Sequence, residues 1–303
     1  MKKAFTLIEM IFVILIAAVL SMGTFKAFEM LYIRSAKAKA ITDMTLRSQI
    51  VLDQLSVMLY NRIPNSVIGY TMGGGCESIT ELVQSRPILE WLGTMDDALL
   101  QREYDGFIDL GSSDKATRTL EAPHISKDLN ITNANLIFAG AFDDGANETY
   151  KACGGAFGWH GNDSNLSYDI NINVADEIIL TDSDAYQPQF IYEKYYLTNT
   201  AYAVARGADL VDTDVRDDCA YDISQLEDFN TTLFLFYDYQ PFNGETFCSD
   251  NGSTSGKVSV LAQSVSAFEA IYENDIIRLN LDMHKSIRGS QSPVHIYKQK
   301  AVY

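Results

Sequence analysis

The chain has 303 residues, is 47% hydrophobic and carries a formal net charge of −17. That length buries a sizeable core and gives one large domain, or one domain with an insertion. Such an acid excess repels nucleic-acid phosphates at long range, so no nucleic-acid partner is expected.

In chain order, two lysines precede an apolar run from Phe5 to Phe25 that holds one charge, Glu9. At 1.5 Å per residue the run is about 30 Å of helix, the thickness of a bilayer's hydrocarbon core. Lys2 and Lys3 ahead of the run predict a cytoplasmic N-terminus and an exported remainder. A carboxylate near the start of a membrane span is costly unless paired, so Glu9 stands out. Nothing basic lies within the apolar run, and Lys26 is more than four turns along. The α-amino group of a neighbouring chain would serve, which requires a new N-terminus just before the run.

Residues 26–62 continue the helix in Ala, Leu, Met, Lys and Arg, all good helix formers. Ile41, Met44, Ser48, Val51, Leu55 and Met58, with Leu52 and Leu59 alongside, form an inward stripe at three-four spacing. Pro64 ends the helix, because the residue before a proline is pushed out of the helical region. The first 50 residues carry a net charge of +4, which leaves −21 for the rest. That acidic remainder suits solubility, divalent cations or a basic partner.

Thr71 to Cys76, with three glycines, reads as a flexible turn. Segments 77–84 and 95–103 read as short helices. From there the pattern becomes β-like, with candidate strands at 134–141, 167–174, 177–180, 189–197, 200–205, 231–239, 257–262, 266–272, 276–282 and 294–300. Asn243-Gly244 and the 251–256 stretch are turn signals. The last three candidates, two of them joined at Glu273-Asn274-Asp275, predict an antiparallel meander. A long helix followed by antiparallel strands makes the fold class α+β.

Cys76, Cys153, Cys219 and Cys248 all follow the apolar run, on the side where disulfides persist. Four cysteines allow three connectivities. Proximity in sequence favours Cys76–Cys153 and Cys219–Cys248, and no C-x-x-C occurs. No hydrolase, zinc-protease or P-loop signature is present, so no enzymatic activity is expected. The four histidines are scattered, and His160 in Gly158-Trp159-His160-Gly161 reads as part of a structured loop. Asp143, Asp144, Asn147 and Glu148 offer hard oxygen ligands, as do acids at 182–184 and 209–218. None matches the spacing of a calcium loop, so they are weak calcium candidates and no cofactor is expected.

The segment Lys3-Ala4-Phe5-Thr6-Leu7-Ile8-Glu9 resembles the class III signal of type IV pilins and type II secretion pseudopilins. The resemblance implies that a membrane prepilin peptidase cuts between Ala4 and Phe5 and N-methylates Phe5. It implies that Glu9 pairs with the N-terminus of an adjacent subunit during filament assembly. Glycine is usual before the cut, and Ala4 stands there instead. Lys26 stands where major pilins often carry a kinking proline, which favours a minor subunit. An ordinary signal peptide would need a small-residue cleavage site after the run, and Ser21-Met22-Gly23 is a loose match.

The expected layout is a leader at 1–4, a transmembrane helix at 5–25, an amphipathic extension at 26–63 and an exported head at 64–303. That layout is similar to large minor subunits, including J-type minor pseudopilins. The implied role is structural: a single-pass inner-membrane subunit whose head lies in the periplasm. It joins the initiating tip complex of a pseudopilus or pilus. The implied partners are other pseudopilins or minor pilins, the peptidase, the inner-membrane assembly platform and the bilayer. The alternative is a tip-exposed adhesin or substrate-binding module.

Overall fold

The structure is a computed structural model that describes residues 7–82, 84–140, 151–181, 188, 190–211, 215, 219, 221–247, 256–274 and 276–303. A single helix, α1 (Leu7–Tyr60), runs for 54 residues. It contains no proline, and its one glycine, Gly23, lies in the apolar half. Its buried residues are Ala40, Met44, Ser48, Val51, Leu52, Leu55 and Leu59. That is the expected stripe with two corrections. Ile41 is exposed and Ala40 takes its place; Met58 is only partly buried at the rim of the core. α1 also stops at Tyr60, short of 63. Arg62 forms a β-bridge with Gly93, and the Ile63 N–H donates to the Leu92 carbonyl at 2.9 Å. Strand pairing therefore captures the chain before Pro64 can act.

Every strand pair among the described residues is antiparallel, so the α+β expectation holds. Its first strands are β1 (Ile68–Thr71), β2 (Gly75–Ser78) and β3 (Ile88–Gly93). Next come a short helix, α2 (Asp96–Leu100), and β4 (Asp109–Asp114), β5 (Thr119–Glu121), β6 (Asn135–Phe138), β7 (Tyr168–Asn171), β8 (Glu177–Leu180) and β9 (Tyr195–Thr198). The last are β10 (Thr200–Arg206), β11 (Leu233–Tyr239), β12 (Lys257–Ala262), β13 (Val265–Glu273), β14 (Ile276–Lys285) and β15 (Val294–Val302). They form a central sheet ordered β12-β11-β10-β3-β1-β2 and a C-terminal meander ordered β13-β14-β15. A third sheet is ordered β4-β5-β8-β7-β6-β9.

Two layers of core sandwich the central sheet. Leu89, Trp91, Val204 and Leu235 face the α1 stripe and the inner face of the meander, Leu279, Leu281 and Met283 among them. On the opposite face Ile88, Leu92, Ala203 and Phe234 meet Ala156, Phe157, Trp159 and Phe247 from the loops. Burying each large aliphatic on the α1 seam is worth about 1.5–3 kcal/mol, and those residues fix the helix to the head.

The third sheet is an insertion. β3 and β10 pair directly, Gly93 opposite Thr200, yet residues 94–199 lie between them in sequence. The inserted strands close into a small barrel. The Ile108 N–H donates to Glu193 at 2.7 Å, and the Tyr195 N–H donates to Gly106 at 2.9 Å, joining the two ends of the strand order. Leu120, Leu136, Phe138, Ile178 and Leu197 fill its interior. Residues 64–303 thus form a helix-backed sheet carrying an inserted barrel.

The expected helix at 77–84 is instead β2 followed by one turn at Ile79–Glu81. Gly75 and Cys76 pair across to Thr71 and Tyr70, and that ladder overrides helical propensity. The helix expected at 95–103 is shorter, ending at Leu100. The strands at 177–180 and 257–262 fall where the pattern puts them. Strands β1, β3, β4 and β5 carry no clear alternation and are found only in the fold.

Candidate functional site

The first candidate is the exposed half of α1. Every described residue from Leu7 to Tyr32 is exposed, and Ile33 is the first to be partly covered by the head. Those 26 residues project about 39 Å, enough for a hydrocarbon core of about 30 Å and a short stalk. Among the described residues this is the one helix long and apolar enough to cross a membrane. Glu9 sits in the first turn of α1, where the positive end of the helix favours a carboxylate. Ala4 and Phe5 lie outside the described residues.

Cys76 and Cys153 are joined by a disulfide across a sequence separation of 77. It ties β2 to the short helical turn Ala152–Ala156, which covers the outer face of the central sheet. Cys219 is also disulfide-bonded, and Cys248 lies outside the described residues. So do Asp143, Asp144, Asn147 and Glu148, together with the acids at 182–184, 212–214 and 216–218. Asp209, the described acid of those clusters, pairs with Arg206 at 3.0 Å. Among the described residues no three His, Cys, Asp or Glu side chains group to hold a metal.

The second candidate is a buried polar cluster on the outer face of the central sheet. Glu90 lies mid-strand in β3 between Ile68 and Ala203 on the neighbouring strands, with 0% of its surface exposed. An isolated carboxylate there would be very costly, so it needs partners. The Tyr239 hydroxyl donates to one carboxylate oxygen at 2.8 Å. The His160 Nε2 lies 2.8 Å from the other. Burial, reinforced by the Glu90 charge, holds the Tyr239 hydroxyl pKa well above the ordinary tyrosine value.

Two local features bring His160 to Glu90. Gly158 has φ +79°, and a Cβ there would lie 2.3 Å from the Pro241 carbonyl oxygen, so only glycine allows the approach. His160 is itself left-handed at φ 54°, an uncommon conformation for a non-glycine residue. Its ring stacks on Tyr70 with centroids 3.6 Å apart. A cavity of about 90 Å³ opens beside the pair, lined by Tyr70, Met72, His160, Leu210, Val215 and Phe247. The geometry is that of a polar clamp. Each Glu90 carboxylate oxygen has one side-chain partner, Tyr239 on one and His160 on the other.

The sequence marks His160 only as a loop histidine and passes over Glu90. A lone acid inside Ile88-Leu-Glu90-Trp-Leu92 is the signal available: a charge in an otherwise continuous apolar run needs a buried partner. No family model matches this chain, and no curated protein or solved structure does either.

Proposed function

We propose that this chain is a membrane-anchored, pilin-like minor subunit with a structural role in assembling a pseudopilus or pilus. The observation that carries the reading is the continuity of α1. One uninterrupted helix is lipid-compatible and uncovered over its first half and is the core helix of the head over its second. Such a rod transmits a pull or push in the membrane directly to the head, which a flexible linker would not do. The Phe5-to-Glu9 signature supports processing between Ala4 and Phe5 and an assembly role for Glu9. The implied partners are other minor subunits, the peptidase and the inner-membrane assembly platform.

Orientation rests on the cysteines rather than on flanking charge. Lys26, Arg34, Lys37 and Lys39 follow the span closely, against Lys2 and Lys3 before it, so the charge count alone favours the opposite orientation. The Cys76–Cys153 bond and the bonded state of Cys219 favour an oxidising, exported side for the head.

The test is intact-mass analysis of membrane-extracted protein, with a mature start at methylated Phe5 expected. A start beyond Gly23 would sink the reading. Glu9→Ala protein at equal membrane abundance is expected to lose crosslinks to partner subunits while keeping cleavage and a folded head. Wild-type crosslinking and wild-type filament function would remove the assembly role from Glu9.

A tip-exposed binding module is the second reading, and one observation favours it. The barrel springs from the end of α1 farthest from the apolar half. The Thr94 N–H donates to Asn61 at 3.0 Å, and the Asn61 side chain donates to Asp96 at 2.6 Å. Deleting barrel contacts without loss of assembly, but with loss of surface or cargo binding, would establish it.

A further inference from the structure

Charge in this protein is segregated along the rod. Segments 26–47 and 283–303 hold nine of the 23 Lys and Arg residues but only two of the 40 Asp and Glu residues. The fold brings these segments together. β15 packs along α1, and Lys300 reaches Asp53 at 2.8 Å near the far end of the helix. At the near end a Cβ on Gly289 would sit 3.4 Å from the Ile33 Cδ1, which places the turn between β14 and β15 beside Ile33. Lys285 at the end of β14 and Arg288 on that turn therefore join Lys26, Arg34, Lys37 and Lys39 of α1 in a basic collar at the base of the head. None of the six has a carboxylate partner among the described residues, although acids outnumber cations almost two to one in the chain.

We propose that this collar docks on anionic lipid headgroups at the membrane surface from which α1 emerges. The inference rests on α1 spanning the bilayer. From Phe25, the end of the apolar run, to Ile33 is eight residues, or about 12 Å of helix. Headgroups occupy about 5–7 Å beyond the hydrocarbon on each side. Arg34 and the turn beside Ile33 thus stand within a Debye length, about 8 Å, of the charged layer, and Lys37 and Lys39, one to two turns farther along, reach back toward it because helical side chains lean to the N-terminus. A second consideration is the cost of its position. Four cations just after the span oppose export of the head, and docking gives those charges a role on the exported side.

The experiment uses the full chain reconstituted into vesicles of pure phosphatidylcholine or of equal parts phosphatidylcholine and phosphatidylglycerol. An environment-sensitive fluorophore on Ser292→Cys, an exposed position in the turn, reports shielding from an aqueous quencher. Shielding is expected only with phosphatidylglycerol, and it should be released by salt. Each neutralised cation should lower the docked-to-free ratio about fivefold. Lys37→Gln, Lys39→Gln, Lys285→Gln and Arg288→Gln combined should abolish shielding, while Lys127→Gln on the barrel should not. Flotation of the chain with both vesicle types but equal quenching in both overturns the docking alone. Failure to float with neutral vesicles after a salt wash overturns the spanning reading and the docking with it. Salt-sensitive shielding in neutral vesicles that grows with protein density assigns the collar to the acidic head of a second copy, and overturns the lipid assignment.

Discussion

Removing the partners of Glu90 tests the clamp that binds the outer loop layer to the central sheet. His160→Ala leaves one carboxylate oxygen in the core without its donor. Losing a hydrogen bond to a buried charged acceptor costs about 1.5–3 kcal/mol. The His160 side chain is 17% exposed and borders the cavity of about 90 Å³, so water can partly replace it and the low end applies. Tyr239→Phe removes a hydrogen bond to a charged acceptor, about 1.5–3 kcal/mol, with no water route because Tyr239 is fully buried. The double variant strands the carboxylate altogether and should cost more than either alone. Adding Glu90→Leu should then recover part of the loss, since an apolar side chain of similar size has no unmet hydrogen bonds. Urea unfolding of the detergent-solubilised chain reads these changes. Intrinsic fluorescence suffices, because Trp91 and Trp159 are the only tryptophans and both are buried against this sheet. The clamp fails as the source of this stability if the double variant lies within about 0.5 kcal/mol of wild type. It fails equally if Glu90→Leu deepens the double variant's loss.

Further expectations concern other parts of the fold. Leu55→Ala, in the fully buried α1 seam, should cost about 2–5 kcal/mol, while Ile50→Ala on the exposed face should stay within about 0.5 kcal/mol in the same urea titration. Replacing Cys76 and Cys153 by serine opens a long covalent loop and should lower stability by about 2–4 kcal/mol; unchanged urea midpoints would count against the bond's role. Tyr239 and Tyr202 have hydroxyl pKa values raised above 10.0, chiefly by burial, so the fold holds them neutral. Their contribution is intact below pH 10.0 and drains above it, as the unfolded chain gains by ionising. Circular dichroism should show unfolding that accompanies tyrosinate absorbance, and full ionisation with native dichroism would refute the assignment.

The long helix, its division into an uncovered and a packed half, and the terminal meander were legible from local pattern. A run of apolar residues and a three-four stripe are properties of neighbours in sequence, and they specify helix and buried face without reference to the rest of the chain. The strands at 177–180 and 257–262 were legible for the same reason. What the sequence withheld is long-range. β3 is buried on both faces and shows no alternation, because nothing along it faces water. The barrel is closed by hydrogen bonds between residues near 107 and 194, whose pairing no local signal encodes. Glu90, His160 and Tyr239 are separated by 70 and 149 positions, and only the crossing of β3, β11 and a glycine-led turn brings them within 2.8 Å. The basic collar likewise joins residues 26–39 to residues 285–288. Composition showed that the cations existed, and the packing of β15 along α1 decided that they share one end of the head.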